Sequence, residues 1–269
     1  MAVSAPPLRD GAPGGVWADL SHRPVPAVRL PLALAALHRA VPPWTPVHLR
    51  LLTGDDRGDQ PSDDDGGRSR FASWPEALAD VLEGAGFVVD SVAADADVVQ
   101  VSGTRARSLP DTVGPGMRLL VCGLNPSEYA ADRGVGYARP GNRFWPAALD
   151  AGLLTRSHDP GHALRVHGVG MTDLVKRATP RASELGRDEY RSGRARVERL
   201  VRWLQPGAVC FVGLDGWRKA VDAGAVAGVQ PVSFGGRPAY VMPSTSGLNA
   251  HASREELTAH LRAAGQLAG

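Results

Sequence analysis

Two stretches rich in small polar residues each follow a short apolar run. The first, GLNPS at residues 123–127, follows residues 117–122, and the second, PSTSGLN at residues 243–249, follows residues 239–242. Ligand sites in open α/β sheets form beyond the carboxyl ends of the strands, so we expect both stretches in one site. Asn125 lies where the first strand ends, and its carboxamide could point into a pocket. An amide orients water by accepting a hydrogen bond but cannot take its proton, so turnover there would be slow.

The elements that must position these stretches form a regular α/β alternation. Four short apolar runs predict strands at residues 117–122, 169–172, 208–212 and 239–242, each suited to a sheet covered on both faces. A helix at residues 190–204 carries a stripe of apolar residues, and the last helix opens with Ser253 and Glu256 in the spacing of a capping box. We predict that residues 117–269 form a three-layer α/β/α domain with a predominantly parallel central sheet.

The chain before residue 117 has a different character. Residues 1–30 are rich in proline and glycine and are predicted to be loose. Residues 31–105 alternate again, with helices predicted at 32–40 and 74–83 and strands at 47–53, 87–92 and 98–102. An acidic tract at residues 55–65 is too polar to pack and is interpreted as a solvated loop. Residues 106–116 are predicted to be a linker between this part and the domain.

Residues 31–105 carry a generic likeness to a known fold. The turn PPW at 42–44, the strand VHLRLLTGD at 47–55 and the helix end LEGAGF at 82–87 resemble the C-terminal half of a Rossmann-type S-adenosylmethionine-dependent methyltransferase. The Gly-rich loop that approaches the cofactor in that fold is missing. We therefore predict a partial α/β segment that binds no cofactor, and we keep a methyltransferase as an alternative function.

Composition narrows the class of protein. Hydrophobic residues make up 43% and charged residues 22% of the chain, a globular balance, and no apolar run approaches the ~20 residues of a membrane span. The N-terminus lacks the pattern of a secretory signal, so we expect a cytoplasmic protein. Cys122 and Cys210 lie in apolar runs and are interpreted as buried thiols. Residues 1–110 carry a net charge of −4 and the remainder +6, which makes the C-terminal part the candidate for binding a polyanion.

Three blocks of the C-terminal part resemble one family in order and spacing. They are residues 123–145, which read GLNPS and then GVGYARPGNRFW, residues 168–180, which read GVGMTDLVKRATP, and residues 243–249. These blocks resemble the mismatch-specific uracil/thymine-DNA glycosylase family of the uracil-DNA glycosylase superfamily, over about residues 116–265. The resemblance implies an enzyme that hydrolyses the N-glycosidic bond of uracil, or of thymine and related damaged pyrimidines, mispaired with guanine in double-stranded DNA. It would initiate base excision repair, and we expect a monomer without cofactor or metal.

The resemblance also implies roles for residues around the base. Asn125 matches the residue that positions the attacking water, and Tyr137 matches the aromatic residue that stacks on the extruded pyrimidine. Leu124 and Ser127 would contact the base beside them. The plainer alternatives are a turn residue before proline for Asn125 and a core aromatic for Tyr137.

A second set of residues is implied to bind the DNA. Leu248 would enter the duplex as a wedge and occupy the vacated stack. Phosphate contacts are expected from Ser244, Ser246, Gly247, Arg143 and Lys176. The alternatives are a core leucine, turn chemistry for the serines and a solvated cation for Lys176. Asn142 is interpreted as a helix cap.

Some features separate this chain from its relatives. Ser127 and Glu128 stand where the family commonly has glycine and an apolar residue, which puts the substrate range in doubt. No four-cysteine set that could hold an iron-sulfur cluster is present, and no His-Pro-Ser precedes the wedge,. A non-catalytic DNA-binding protein is the third reading, and the presence of both Asn125 and Tyr137 argues against it.

Overall fold

The computed structural model describes residues 8–10, 15–20, 29–52, 74–95 and 98–269. The chain divides into two compact units, Met1–Ala106 and Arg107–Gly269. Among the described helices, none is long and apolar enough to cross a membrane.

The N-terminal unit is built on a five-stranded sheet. Its elements are β1 (Leu8–Asp10), β2 (Val16–Asp19), α1 (Leu30–Ala40), β3 (Pro46–Leu52), α2 (Trp74–Gly84), β4 (Phe87–Asp95) and β5 (Val98–Arg105). The strand order is β1-β2-β3-β5-β4, in which only the β2–β3 pair is parallel. The helices and strands predicted between residues 32 and 102 are confirmed to within a few residues. The acidic tract at 55–65 lies outside the described residues.

The prediction that residues 1–30 are loose is wrong for two segments. β2 pairs with β3, with Val16 opposite Val47, and β1 pairs with β2. Neither segment has the local apolar pattern of a strand. β2 is held by β3, about thirty residues further along the chain, and β1 is held by β2, so neither pairing is revealed by the local sequence,.

The C-terminal unit has the predicted alternation of strands and helices. Its elements are β6 (Leu119–Gly123), α3 (Glu128–Arg133), α4 (Phe144–Asp150), α5 (Pro160–His167), β7 (Val169–Asp173), α6 (Arg187–Leu204), β8 (Ala208–Val212), α7 (Leu214–Ala220), β9 (Gly228–Val229), β10 (Ala239–Met242) and α8 (Arg254–Leu267). The strand order is β7-β6-β8-β10-β9. All neighbouring pairs are parallel except the short edge strand β9, which pairs antiparallel with β10.

Helices cover both faces of this sheet. Every residue of β6, β7, β8 and β10 is buried, as their apolar sequences predict. Phe144 of α4 and Leu257 of α8 belong to the core on one face, together with Val121. On the other face the ring of Phe211 contacts that of Trp217 in α7, and α7 packs against α6. The three-layer α/β/α arrangement with a mainly parallel sheet is confirmed.

Local signals placed the helices correctly as well. The apolar stripe of α6 is buried, and Ser253 and Glu256 form the capping box at the start of α8, with hydrogen bonds of 3.1 and 2.6 Å. Cys122 and Cys210 are buried free thiols. Burial raises the pKa of Cys210 to about 12, so this thiol stays protonated,.

Residues 106–116 were expected to form a linker, but most of them are packed into the C-terminal unit. Residues 108–114 are buried, and Thr112 pairs with Met171 of β7 through two backbone hydrogen bonds of 2.9 Å. Asp111 in the same segment is held by buried cations. The sequence of this segment suggested a connection between domains. Its pairing with β7 and the ion pairs of Asp111 make it part of the C-terminal unit.

Candidate active site

A cavity of about 210 Å³ opens at the carboxyl ends of the parallel strands in the C-terminal unit. This is the edge of an α/β sheet where ligands bind. The loops after β6, β7 and β10 supply most of its walls, and its polar lining includes Asn125, Ser127, Asp173, Thr179, Ser244 and Ser246. The loops that the sequence singled out therefore do meet at one site.

The side chain of Asn125 is fixed by its amide nitrogen. Nδ2 donates to Oγ1 of Thr179 at 2.8 Å and to the carbonyl oxygens of Arg177 and Pro126 at 3.1 and 3.2 Å. The Thr179 hydroxyl donates its own hydrogen to the Arg181 carbonyl at 2.9 Å, so toward Asn125 it can only accept,.

These contacts settle which way the amide points. All three partners of Nδ2 are acceptors, so the nitrogen and the oxygen cannot be exchanged. No described residue donates a hydrogen bond to Oδ1 of Asn125, and the side chain lines the cavity. Oδ1 is therefore the atom that Asn125 offers to a ligand or a water in the cavity.

Tyr137 places an aromatic ring in the cavity wall. Its φ of 58° is in the left-handed region that non-glycine residues seldom adopt,. The ring stacks on Phe144 with centroids 4.1 Å apart, and Trp145 fixes the preceding backbone by donating from Nε1 to the Gly136 carbonyl at 2.9 Å. Burial raises the pKa of Tyr137 well above its ordinary value, and nearby Asp173 adds to this. The residue thus offers a neutral aromatic surface.

Leu248 is one of the most exposed apolar side chains of the C-terminal unit, at 85% of its maximal accessibility. It lies on the 244–249 loop, which is organised by its own polar groups. The backbone N–H of Leu248 donates to Oγ of Ser246, that of Ser246 donates to Oγ of Ser244, and Nδ2 of Asn249 donates to the Ser244 carbonyl. The alternative of a core leucine is wrong. Both serines make turn contacts and also line the cavity.

Arg143 does not have the role predicted for it. Its guanidinium donates to the carbonyl oxygens of Ser246 at 3.0 Å, Asn249 at 2.6 Å and Ala252. The group therefore fastens the 244–249 loop from within instead of facing a phosphate. Its position after Asn142 resembled a helix start open to solvent, whereas the carbonyls that it binds lie about a hundred residues away in sequence.

Lys176 is likewise not a surface cation. It is 7% exposed, and its Nζ lies 2.7 Å from Oδ1 of Asp111, whose Oδ2 lies 2.9 Å from Nη1 of Arg196. Burial alone would raise the pKa of Asp111, but the two cations outweigh it and hold that pKa below its ordinary value. A prediction from local position could not reveal a buried partner 65 residues away.

The structure gives the positions of the remaining residues that the sequence singled out. Leu124 and Ser127 line the cavity, and Ser127 also caps α3 by accepting from the Ala130 N–H at 3.2 Å. Oδ1 of Asn142 accepts from the Phe144 N–H at 2.9 Å, as expected of a cap. Gly247 packs closely against the first signature block, since a Cβ there would lie 2.8 Å from the Gly141 carbonyl oxygen.

Two residues of the cavity were missed by sequence reasoning. Thr179 anchors Asn125, and Asp173 brings a carboxyl group to the cavity at the end of β7. Burial raises the pKa of Asp173 to about 6, although Lys176 opposes the shift. The signal existed, because Asp173 ends its strand beside the strand that leads to Asn125, at the same edge of the sheet.

The described residues contain no group of three or more His, Cys, Asp or Glu side chains arranged to hold a metal ion. A family model described as the Uracil DNA glycosylase superfamily matches residues 110–266, which is more than half of the chain. The matched region contains every cavity residue named above. The chain therefore belongs to the uracil DNA glycosylase superfamily, and it is a DNA glycosylase, a repair hydrolase that acts on DNA.

Proposed function

We propose that this protein removes uracil mispaired with guanine from double-stranded DNA, and that thymine or related damaged pyrimidines in the same position are further substrates. The observation that carries the proposal is the fixed carboxamide of Asn125. Its nitrogen is held by Thr179 and two backbone carbonyls, and Oδ1 is available to the cavity. A group of this kind holds a water in one place by accepting a hydrogen bond from it.

The chemistry suits such a group. A glycosidic bond can break with oxocarbenium character in the sugar, so the enzyme has to stabilise charge and place water more than it has to create a strong nucleophile. Oδ1 of Asn125 carries a partial negative charge and would lie beside the cationic sugar. The electron pair of the broken bond leaves with the pyrimidine.

Reaching the bond requires the nucleotide to leave the duplex. This rotation costs a few kcal/mol and costs least at a mismatch, because a mispaired base is held less firmly. In our proposal the extruded base enters the cavity and stacks on Tyr137, whose ring is backed by Phe144. The preference for guanine mispairs follows in part from this cost.

The 244–249 loop would hold the DNA. Ser244 and Ser246 offer hydroxyl and backbone groups to the phosphates beside the extruded nucleotide, and Leu248 extends from the loop to fill the vacated stack,. Arg143 would support this loop and would not bind a phosphate, because its guanidinium donates to the Ser246 and Asn249 carbonyl oxygens.

We expect Leu248→Ala to slow excision from duplex DNA and to leave excision from single strands unchanged. Burying a leucine side chain contributes about 1.5–3 kcal/mol, which corresponds to a roughly ten- to hundredfold change. Single-turnover rates on the two substrates measure the effect. Val226→Ala is the matched control, because Val226 is also exposed, at 70%, and does not line the cavity. Equal losses on both substrates would refute the wedge.

The proposal is tested directly by incubating the full chain with duplex oligonucleotides that contain G/U, G/T or A/U pairs, and with single-stranded uracil DNA. Alkali cleavage then reports each abasic site. We expect G/U to be the best substrate. Because Ser127 and Glu128 differ from the common family pattern, the order of the other substrates reports on the altered rim of the cavity. A chain that releases no pyrimidine from any of the four substrates would rule the proposal out.

The N-terminal unit has no proposed activity. Its resemblance to half of a methyltransferase stays a prediction from sequence. Calorimetry of the full chain with S-adenosylmethionine tests the methyltransferase alternative, and micromolar binding would favour it.

A further inference from the structure

Arg139 is the one cationic residue among the described residues that line the cavity. It is exposed, and no described residue forms a hydrogen bond or an ion pair with its guanidinium. A guanidinium presents five N–H donors in a rigid fork that matches the oxygens of a phosphate. An anion that approached the cavity could therefore bind Arg139 without breaking an existing contact.

The other cations of the signature blocks already have partners. The three blocks contain five cationic residues. Arg143 and Lys176 are held inside the protein by backbone carbonyls and by a buried carboxylate. Arg177 pairs with a carboxylate at 2.7 Å, and Arg133 lies over an aromatic ring, 5.3 Å from its centre. Arg139 is the remaining one of the five, and it is available to DNA.

The backbone of Arg139 is fixed in a tight turn beside the 244–249 loop. Its carbonyl oxygen accepts from the Asn142 N–H at 3.0 Å. The two central residues of the turn are a proline and Gly141, whose φ of 82° is the value that a type II turn requires at this position,. A Cβ at Gly247 would lie 2.8 Å from the Gly141 carbonyl oxygen, so the turn and the loop are in contact. Arg139 therefore lies at the mouth of the cavity, next to this loop.

We propose that Arg139 binds a backbone phosphate next to the extruded nucleotide and so holds this nucleotide at the cavity. The role rests on the proposed function. When the base is inside the cavity, its flanking phosphates remain at the mouth, because they belong to the backbone that continues into the duplex. The exposed guanidinium lies at the same place. A contact of this kind positions the DNA without reading its sequence.

The first test is the salt dependence of binding by the wild type and Arg139→Gln. The probe is a G/U duplex whose uridine carries a 2′-fluorine, which slows bond breaking because it destabilises a cationic sugar. Arg139→Gln should bind about tenfold more weakly at ~0.1 M salt, and its plot of log affinity against log salt should be less steep by about one unit. Arg165→Gln is the matched control and should match the wild type. Arg165 is also exposed, but it lies in the last turn of α5, which leads to the opposite edge of the sheet.

The second test finds the phosphate. Phosphates on the uridine strand are replaced one at a time by an uncharged methylphosphonate. At the phosphate that Arg139 binds, the wild type and Arg165→Gln should both lose about tenfold in affinity. Arg139→Gln should lose little more there, because the two changes remove the same contact and are not additive. Arg139→Lys, which keeps the charge without the fork, should retain the salt dependence of the wild type.

The outcomes separate this role from the proposed function. Arg139→Gln that keeps the affinity and salt dependence of the wild type overturns the role, as do losses that are additive at every phosphate. A variant that binds normally but excises poor leaving bases more slowly would place Arg139 on the pyrimidine and also overturn it. Arg139→Gln should melt with the wild type, and a lower melting temperature would make the residue structural instead. A wild type that shows the phosphate coupling but excises no pyrimidine overturns the proposed function alone.

Discussion

Asn125→Ala should lower the single-turnover rate of uracil excision about 10²–10³-fold, the usual loss when one preorganised group of this kind is removed. The water would no longer be held, and the partial negative charge beside the sugar would be gone. Affinity for uracil-containing duplex should change little, because the cavity, Tyr137 and the 244–249 loop remain. Band-shift titration measures affinity, and rapid quench measures the rate. A variant that excises as fast as the wild type would contradict the role assigned to Asn125.

A companion variant tests whether the orientation of the amide matters. Thr179→Val removes the acceptor that lies 2.8 Å from Nδ2 of Asn125, so the side chain should rotate more freely and the rate should fall while Asn125 is still present. Thr258→Val is its matched control. Thr258 is also a buried threonine that donates to a backbone carbonyl, but it lies in α8 and does not line the cavity.

Asp111→Ala should lower the free energy of unfolding by about 3–5 kcal/mol, the range seen when one partner of a buried ion pair is removed. The substitution leaves Lys176 and Arg196 buried without the carboxylate that both bind. Urea unfolding measures the loss. Asp150→Ala is the control, because Asp150 pairs with Arg254 at the surface, and such pairs contribute at most about 1 kcal/mol.

The same carboxyl predicts how stability depends on pH. The native pKa of Asp111 is lower than that of the unfolded chain. Its contribution should therefore be complete above about pH 4 and should be lost as the pH falls through the native pKa. Asp111→Ala should remove this part of the acid dependence. If Asp111→Ala and Asp150→Ala lower the free energy of unfolding by the same amount, Asp111 does not stabilise the buried cations.

Local patterns were sufficient for the scaffold of the C-terminal unit. The strand at residues 208–212 was predicted without error because each of its residues is apolar and buried between two layers. The two loops could be assigned to one site because parallel strands end at the same edge. The exposure of Leu248 did not follow from a local pattern; only the family resemblance implied an exposed position for it, and its side chain is exposed.

Errors arose where a side chain is bound by groups distant in sequence. Arg143 and Lys176 looked like surface cations, yet one binds carbonyls beyond residue 245 and the other binds Asp111. The sequence shows how close a cationic residue lies to a motif along the chain. It does not show which hydrogen-bond acceptors from distant segments surround that residue in the folded protein. Asp173 was missed for a different reason, because nothing in its local sequence marks the buried position of its carboxyl group at the cavity.

The contacts of Arg143 have a mechanical consequence. Through its guanidinium and its backbone N–H, which donates to the Thr245 carbonyl at 2.9 Å, this residue ties the 244–249 loop to the start of α4. The next residue, Phe144, is the support on which Tyr137 stacks. A displacement of Leu248 by bound DNA would thus be transmitted through Arg143 and Phe144 to the ring of Tyr137, on which the base would stack. In the proposed function, one connected set of contacts would join the side chain that enters the duplex to the ring that receives the extruded base.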